Sequence, residues 1–191
     1  MREALAGLIL AALAFIVSPL AQERPPEPDG YRTDDYRAPV PATLAGVRVL
    51  TTADAASIWR AKTGVFIDVL PRAPKPQNLP KGTVWRDQPR LNIPGSMWLP
   101  DTGYGKLAAA TEDYLRRGLV RATAGSNTVL VVVYCLSDCW MSWNAAKRIL
   151  AYGYSNVAWY PEGTDGWERA GLHLAESQPE PRAGEAAPSL H

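Results

Sequence analysis

The apolar positions of this chain fall into short branched runs separated by longer amphipathic stretches. Val47–Leu50, Val65–Leu70 and Thr128–Tyr134, which reads Thr-Val-Leu-Val-Val-Val-Tyr, are continuous rather than alternating. That is the pattern of strands covered on both faces. Between them, Thr52 is placed to cap a helix over Ala53–Lys62. Lys106–Arg117 sets Leu107, Ala110, Tyr114 and Leu115 at helical spacing, and Ser142–Tyr152 does the same with Ala145, Ala146, Ile149 and Leu150. Gly64, Gly118 and Gly153 stand where helix stops are expected. A last short strand, Asn156–Tyr160, leads through Pro161–Gly166 into a short helix starting near Trp167. Strands alternating with helices predict an α/β fold, a doubly wound parallel sheet flanked by helices, as a single domain over residues 45–176. Pro71–Pro89 breaks the alternation with a long irregular stretch, and loops of that length are usually functional or mobile.

The flanks lack such periodicity. Met1, Arg2 and Glu3 precede an unbroken run of small and apolar residues, Ala4–Val17, and then Ser18-Pro19-Leu20-Ala21. A run this short suits a signal-peptide core better than a bilayer span, so residues 1–21 are expected to be removed on export. Residues 22–44 form a Pro-rich segment, and the stretch from Glu176 to His191, the expected tail 177–191, carries Pro179, Pro181 and Pro188. Both are expected to be mobile or laid on the surface.

Charge narrows the function classes. Twenty Lys and Arg oppose 19 Asp and Glu, a formal net charge of +1, which provides no electrostatic footprint for nucleic acid. After signal cleavage nothing predicts a membrane partner. Two Cys and 2 His exclude a multi-disulfide scaffold and a finger-type zinc site, and no cofactor is expected.

In folds of this class the ligand side is the carboxyl edge of the strands. The strongest strand runs into Cys135-Leu136-Ser137-Asp138-Cys139-Trp140-Met141 and then Ser142 at a helix start. A cysteine there faces helix-start amides, which favour a thiolate. Cys135 and Cys139 are the expected reactive pair, with Asp68, Asp138, Trp140, Met141 and Ser142 as binding residues around it. Asp101, Glu162 and Asp165 are further strand-end acids, more ordinary as turn formers and caps. Arg72 and Arg90 are available cations. Trp98, Trp140, Trp143, Trp159 and Trp167 invite an aromatic docking face around the mouth, with Trp143 expected in the core.

Taken together, these landmarks resemble a rhodanese-like domain. Ile67-Asp68-Val69 with Arg72 is similar to that family's early acidic strand end, Ile93-Pro94-Gly95-Ser96 to its IPGA turn, and Val131–Cys135 to the strand bearing its sulfur-carrying cysteine. Ala145-Ala146 with Gly153–Val157, and Glu162-Gly163 with Trp167 and Gly171-Leu172, continue the match in order. An active loop of this family carries a Gly and an Arg after the cysteine. Asp138 and Trp140 or Met141 stand there instead, so thiosulfate transfer is expected to be low.

The string Cys139–Arg148, with Tyr36–Pro41 and Trp98-Leu99-Pro100, resembles a narrower group, the PQQ-dependent catabolism-associated CXXCW motif proteins. Three residues intervene between the cysteines here rather than the two of that label. The resemblance implies a periplasmic accessory role beside a quinoprotein dehydrogenase or cytochrome c in alcohol oxidation. Three readings of the cysteine pair stay open. One is thiol–disulfide or sulfur-relay chemistry at an exposed Cys135, with Cys139 as resolving partner. The second is a structural disulfide in a non-catalytic module that docks through its Trp-rich face. The third is a Cu(I) site using Met141, which His173 approaches only through the fold.

Overall fold

The computed structural model describes residues 24–74, 76–83 and 89–184. The expected signal peptide lies outside them. Five strands form one parallel sheet in the order β1 (Arg48–Val49), β6 (Val157–Tyr160), β5 (Val131–Tyr134), β2 (Val65–Asp68), β4 (Met97–Trp98). Its core register aligns Val65 with Val131 and Val131 with Val157, so the strands end level, at Asp68, Tyr134 and Tyr160. The loops that follow therefore converge on one edge.

Strand alternation divides the core in two. Ile67, Val131, Val133, Val157 and Trp159 meet α2 (Ala109–Thr123) and α3 (Trp140–Ala151). Phe66, Val132, Tyr134, Ala158 and Tyr160 face α1 (Thr52–Ala61) and α4 (Gly163–Arg169). The expected α/β sheet with helices on both faces is the fold observed. Among the described residues no helix is long and apolar enough to cross a membrane.

Several local expectations change. Gly118 is no helix stop: it lies inside α2, where an added Cβ would come within 2.6 Å of the Leu99 side chain, so its role is close packing. The helix runs on to Ala124, whose φ of 50° closes it. Three short strands carried no sequence signal: β4, and the antiparallel pair β3 (Arg90–Asn92) and β7 (Ala175–Ser177). That pair ties the long loop after β2 to the chain's end. Beyond it, Glu180 N donates to Trp98 O, Tyr114 Oη donates to Glu180 O, and Arg182 meets Asp101.

The Pro-rich segment is a strap wound over α3. Asn144 grips it twice, accepting from Arg32 N at 2.9 Å and donating to Arg32 O at 2.8 Å. Lys147 Nζ donates to the carbonyls of Pro28 and Asp29. Val40 and Leu44 are buried in the α2/α3 half of the core.

Candidate functional site

β5 is buried along its whole length, and the chain leaves it at Cys135. Residues 135–139 turn over the sheet edge, with Asp138 exposed at the tip in a left-handed conformation (φ 48°), and α3 starts with Cys139 as its N-cap. Cys135 and Cys139 are joined as a disulfide across a Cα separation of 6.5 Å, inside the roughly 4.4–6.8 Å such a bond spans. Gly163 seals the loop from behind. A Cβ on it would sit 2.3 Å from Cys135 O, and at its φ of 52° only glycine lets Thr164 N approach to donate to that oxygen at 3.0 Å.

Burial overturns one expectation. Cys135 is 0% exposed and Cys139 1%, so Cys135 is not an exposed nucleophile. Two amides near it, one in the loop and one at the helix start, are also turned elsewhere. Ser137 N donates to the Asp165 carboxylate at 3.0 Å, and Trp140 N donates to Tyr36 O of the strap at 2.9 Å. What surrounds Cys135 Sγ instead is carbonyl oxygen, from Leu136 at 3.8 Å and Cys139 at 3.6 Å. Burial beside carbonyls disfavours a thiolate.

The other expected residues divide by role. Asp68, wholly buried at the end of β2, accepts from Leu70 N and pairs with Arg90 Nε at 2.8 Å. Burial outweighs Arg90 and pushes its carboxyl up to about 6. Arg90 continues to Thr164 Oγ1 at 3.3 Å, so a polar chain runs from Asp68 to the carbonyl of Cys135. Ser142 is structural, its hydroxyl donating to Cys139 O and accepting from Trp159 Nε1. Asp165 and Glu162 hold Ser137 by side chain and carbonyl respectively, the ordinary turn role. His173 packs edge-on to Trp59, and its carbonyl accepts from Trp167 Nε1.

The Trp-rich face does not exist as a surface. Trp98, Trp140, Trp143, Trp159 and Trp167 are all buried, and each indole N–H has an internal acceptor: Leu70 O, Pro39 O, Thr43 O, Ser142 Oγ and His173 O. Trp143 is core, as expected. Trp140 is pinned between Trp143, at 5.4 Å edge-on, and Arg32, 5.3 Å over its ring.

What opens at this edge is a cleft of about 600 Å³. Cys139 and Met141 form part of its lining, with Tyr36, Arg37, Arg72, Arg90, Leu91, Trp98 and Tyr104 around them. Arg148 holds the Tyr104 segment by donating to the carbonyls of Thr102, Tyr104 and Gly105. Sequence reading missed Arg37, Leu91 and Tyr104 as wall residues, because nothing in the residue pattern brings the strap and the 101–105 turn to the same edge. A further cavity of about 710 Å³, between Trp59, Gly64, Pro94 and Met97, has no cysteine in its lining. Among the described residues no group of three or more His, Cys, Asp or Glu side chains is placed to hold a metal ion.

No protein-family model matches the sequence, and no curated protein matches it. Solved structures similar to the chain include a thiosulfate sulfurtransferase from Pseudomonas aeruginosa (20% identity, 70% of this chain and 21% of that one, TM-score 0.47). An uncharacterized protein from Saccharomyces cerevisiae is similar at 19% identity over 65% of this chain and 93% of that one, TM-score 0.40. A polysulfide-sulfur transferase homodimer from Wolinella succinogenes is similar at 16% identity over 69% and 80%, TM-score 0.44. The chain spans about a fifth of the length of the Pseudomonas protein.

Proposed function

We propose that the protein is a rhodanese-like thiol–disulfide module of the cell envelope, exported to the periplasm and serving quinoprotein-dependent alcohol oxidation beside a dehydrogenase or cytochrome c. The export and the partnership rest on the run Ala4–Val17 and on the resemblance of Cys139–Arg148. The chemistry rests on one observation: the two cysteines are bonded at the carboxyl edge of the sheet, and Cys139 borders an open cleft.

The same loop argues against thiosulfate as donor. Sulfur transfer from an anion to Cys135 needs access and free amides or a cation at that sulfur, but Cys135 is buried and outside the arginine-lined cleft, Ser137 N is taken by the Asp165 carboxylate and Trp140 N by the strap. Thiosulfate:cyanide sulfurtransferase turnover is therefore expected to be near background in the reduced protein. Robust turnover that vanishes in Cys135→Ser would overturn this.

The exchange reading is tested by counting thiols on the intact mass, before and after equilibration of folded protein with graded dithiol buffers. A reversible gain of two thiols without unfolding is expected. The burial of both cysteines favours a second reading, a purely structural cystine. That reading expects reduction only where the fold itself is lost.

A further inference from the structure

The cleft sorts the two sulfurs. Cys139, 1% exposed, is part of its lining and Cys135, 0% exposed, is not, so the Cys139 end of the disulfide is the end nearer a molecule seated there. Among the described residues three arginines, Arg37, Arg72 and Arg90, are in the lining and no Asp or Glu is. Asp68 lies beneath, bonded to Arg90. Three large hydrophobic residues are exposed among those described, and two of them, Leu91 at 46% and Tyr104 at 37%, are in this wall. The volume, about 600 Å³, falls within the ~300–1,000 Å³ range of small-molecule sites.

We propose that this cleft binds a small thiol carrying a carboxylate on an apolar or aromatic body, and that the thiol exchanges at Cys139, with Cys135 as the leaving sulfur. The proposal rests on the thiol–disulfide reading above. In the step, R–SH loses its proton to solvent and the resulting thiolate attacks Cys139 Sγ. The Cys135–Cys139 bond breaks, R–S–S–Cys139 forms, and Cys135 leaves with the electron pair of the broken bond and takes up a proton. One disulfide and one thiol become another disulfide and another thiol, so no further oxidant is needed. The assignment of Cys135 as leaving sulfur rests on which cysteine borders the cleft, not on a stabilised thiolate, since surroundings that disfavour the thiolate slow its departure. The Leu136 and Cys139 carbonyls at 3.8 and 3.6 Å accept the S–H of a released thiol and would oppose a persistent thiolate.

The test uses the full oxidised chain and mercaptobenzoate as probe, with acid quench and peptide mapping of the trapped adduct. The adduct is expected on Cys139. An adduct on Cys135 overturns the assignment while exchange itself stands, and a folded protein that exchanges with no thiol, mercaptoethanol included, brings down both readings. Two single-cysteine variants repeat the comparison without the disulfide. Cys139 in Cys135→Ser should react with the disulfide of mercaptobenzoate roughly tenfold faster than Cys135 in Cys139→Ser. Equal rates or the reverse order would contradict the proposal. The charge claim is tested by Arg37→Gln, expected to slow mercaptobenzoate roughly tenfold more than neutral mercaptoethanol. Equal slowing of the two probes, or none, rejects an anionic substrate.

Discussion

Helices α1 and α3 leave the same sheet and begin in opposite ways. α1 is started by its own neighbours: Thr51 caps it, accepting from Asp54 N, and Asp54 returns the bond to the Thr51 backbone, a reciprocal box completed within four residues. α3 has no side-chain cap. Its first amide is satisfied by Tyr36 O, its N-cap is half of a cystine, and Trp140 and Trp143 are anchored to Pro39 and Thr43, 101 and 100 residues away. A locally capped helix is a structural element. One whose start is assembled from distant chain ties remote segments to its first turn, and here the same strap residue, Tyr36, that satisfies the first amide also lines the cleft beside Cys139.

The contrast can be broken at α3 with the largest expected effect. Trp143→Ala removes a fully buried side chain and the anchor to Thr43, and should cost about 3–5 kcal/mol in urea unfolding.

The acids near the two helices should answer pH with opposite sign. Asp68, pushed up to about 6 by burial, holds more protons folded than unfolded between roughly pH 4 and 6. Its contribution, roughly 2–3 kcal/mol, is fully present below its unfolded value and lost as pH rises through about 6. Asp54, held below its ordinary value by the Thr51 hydroxyl and amide, contributes stability that is lost as pH falls through its lowered value. Denaturation midpoints across this range should show the higher-pH decline disappear in Asp68→Asn and the acid decline weaken in Asp54→Asn. An unchanged slope between pH 4 and 6 in Asp68→Asn would refute the first assignment.

Reduction of the cystine comes next. A loop this short closes with little chain entropy, so about 2 kcal/mol should be lost, with far-UV circular dichroism unchanged and tryptophan fluorescence shifted through Trp140. Thr51→Ala, at the exposed cap of α1, should cost about 1 kcal/mol by the same unfolding measurement.

Legibility followed the same divide. The branched runs placed β2, β5 and β6 within a few residues, and the cap of α1 fell one residue from its observed position, because those signals are local. β3, β4 and β7 are two or three residues long, too short for any period to register. The cysteine pair was visible, but its burial was not. Trp143 was readable as core, but the other four tryptophans suited a surface as well as a core, and their indole acceptors, the carbonyls of Pro39, Leu70 and His173 and the Ser142 hydroxyl, carry no sequence pattern. Arg90 stood out as a cation, yet its carboxylate partner Asp68 lies 22 residues away on another strand.

The strap's bonds to α3 span up to 119 residues, which gives the molecule an order of assembly. The strap and its partners on α3 are a hundred residues or more apart in sequence, so these are contacts of high sequence separation, whose loop-closure cost makes them slow to form. Until it docks, Trp140 lacks its cover and Cys139 lies under an unfinished wall. Tyr36 and Arg37 of the strap line the cleft beside Cys139, so the docking of the strap also completes the wall past which that end of the cystine is approached.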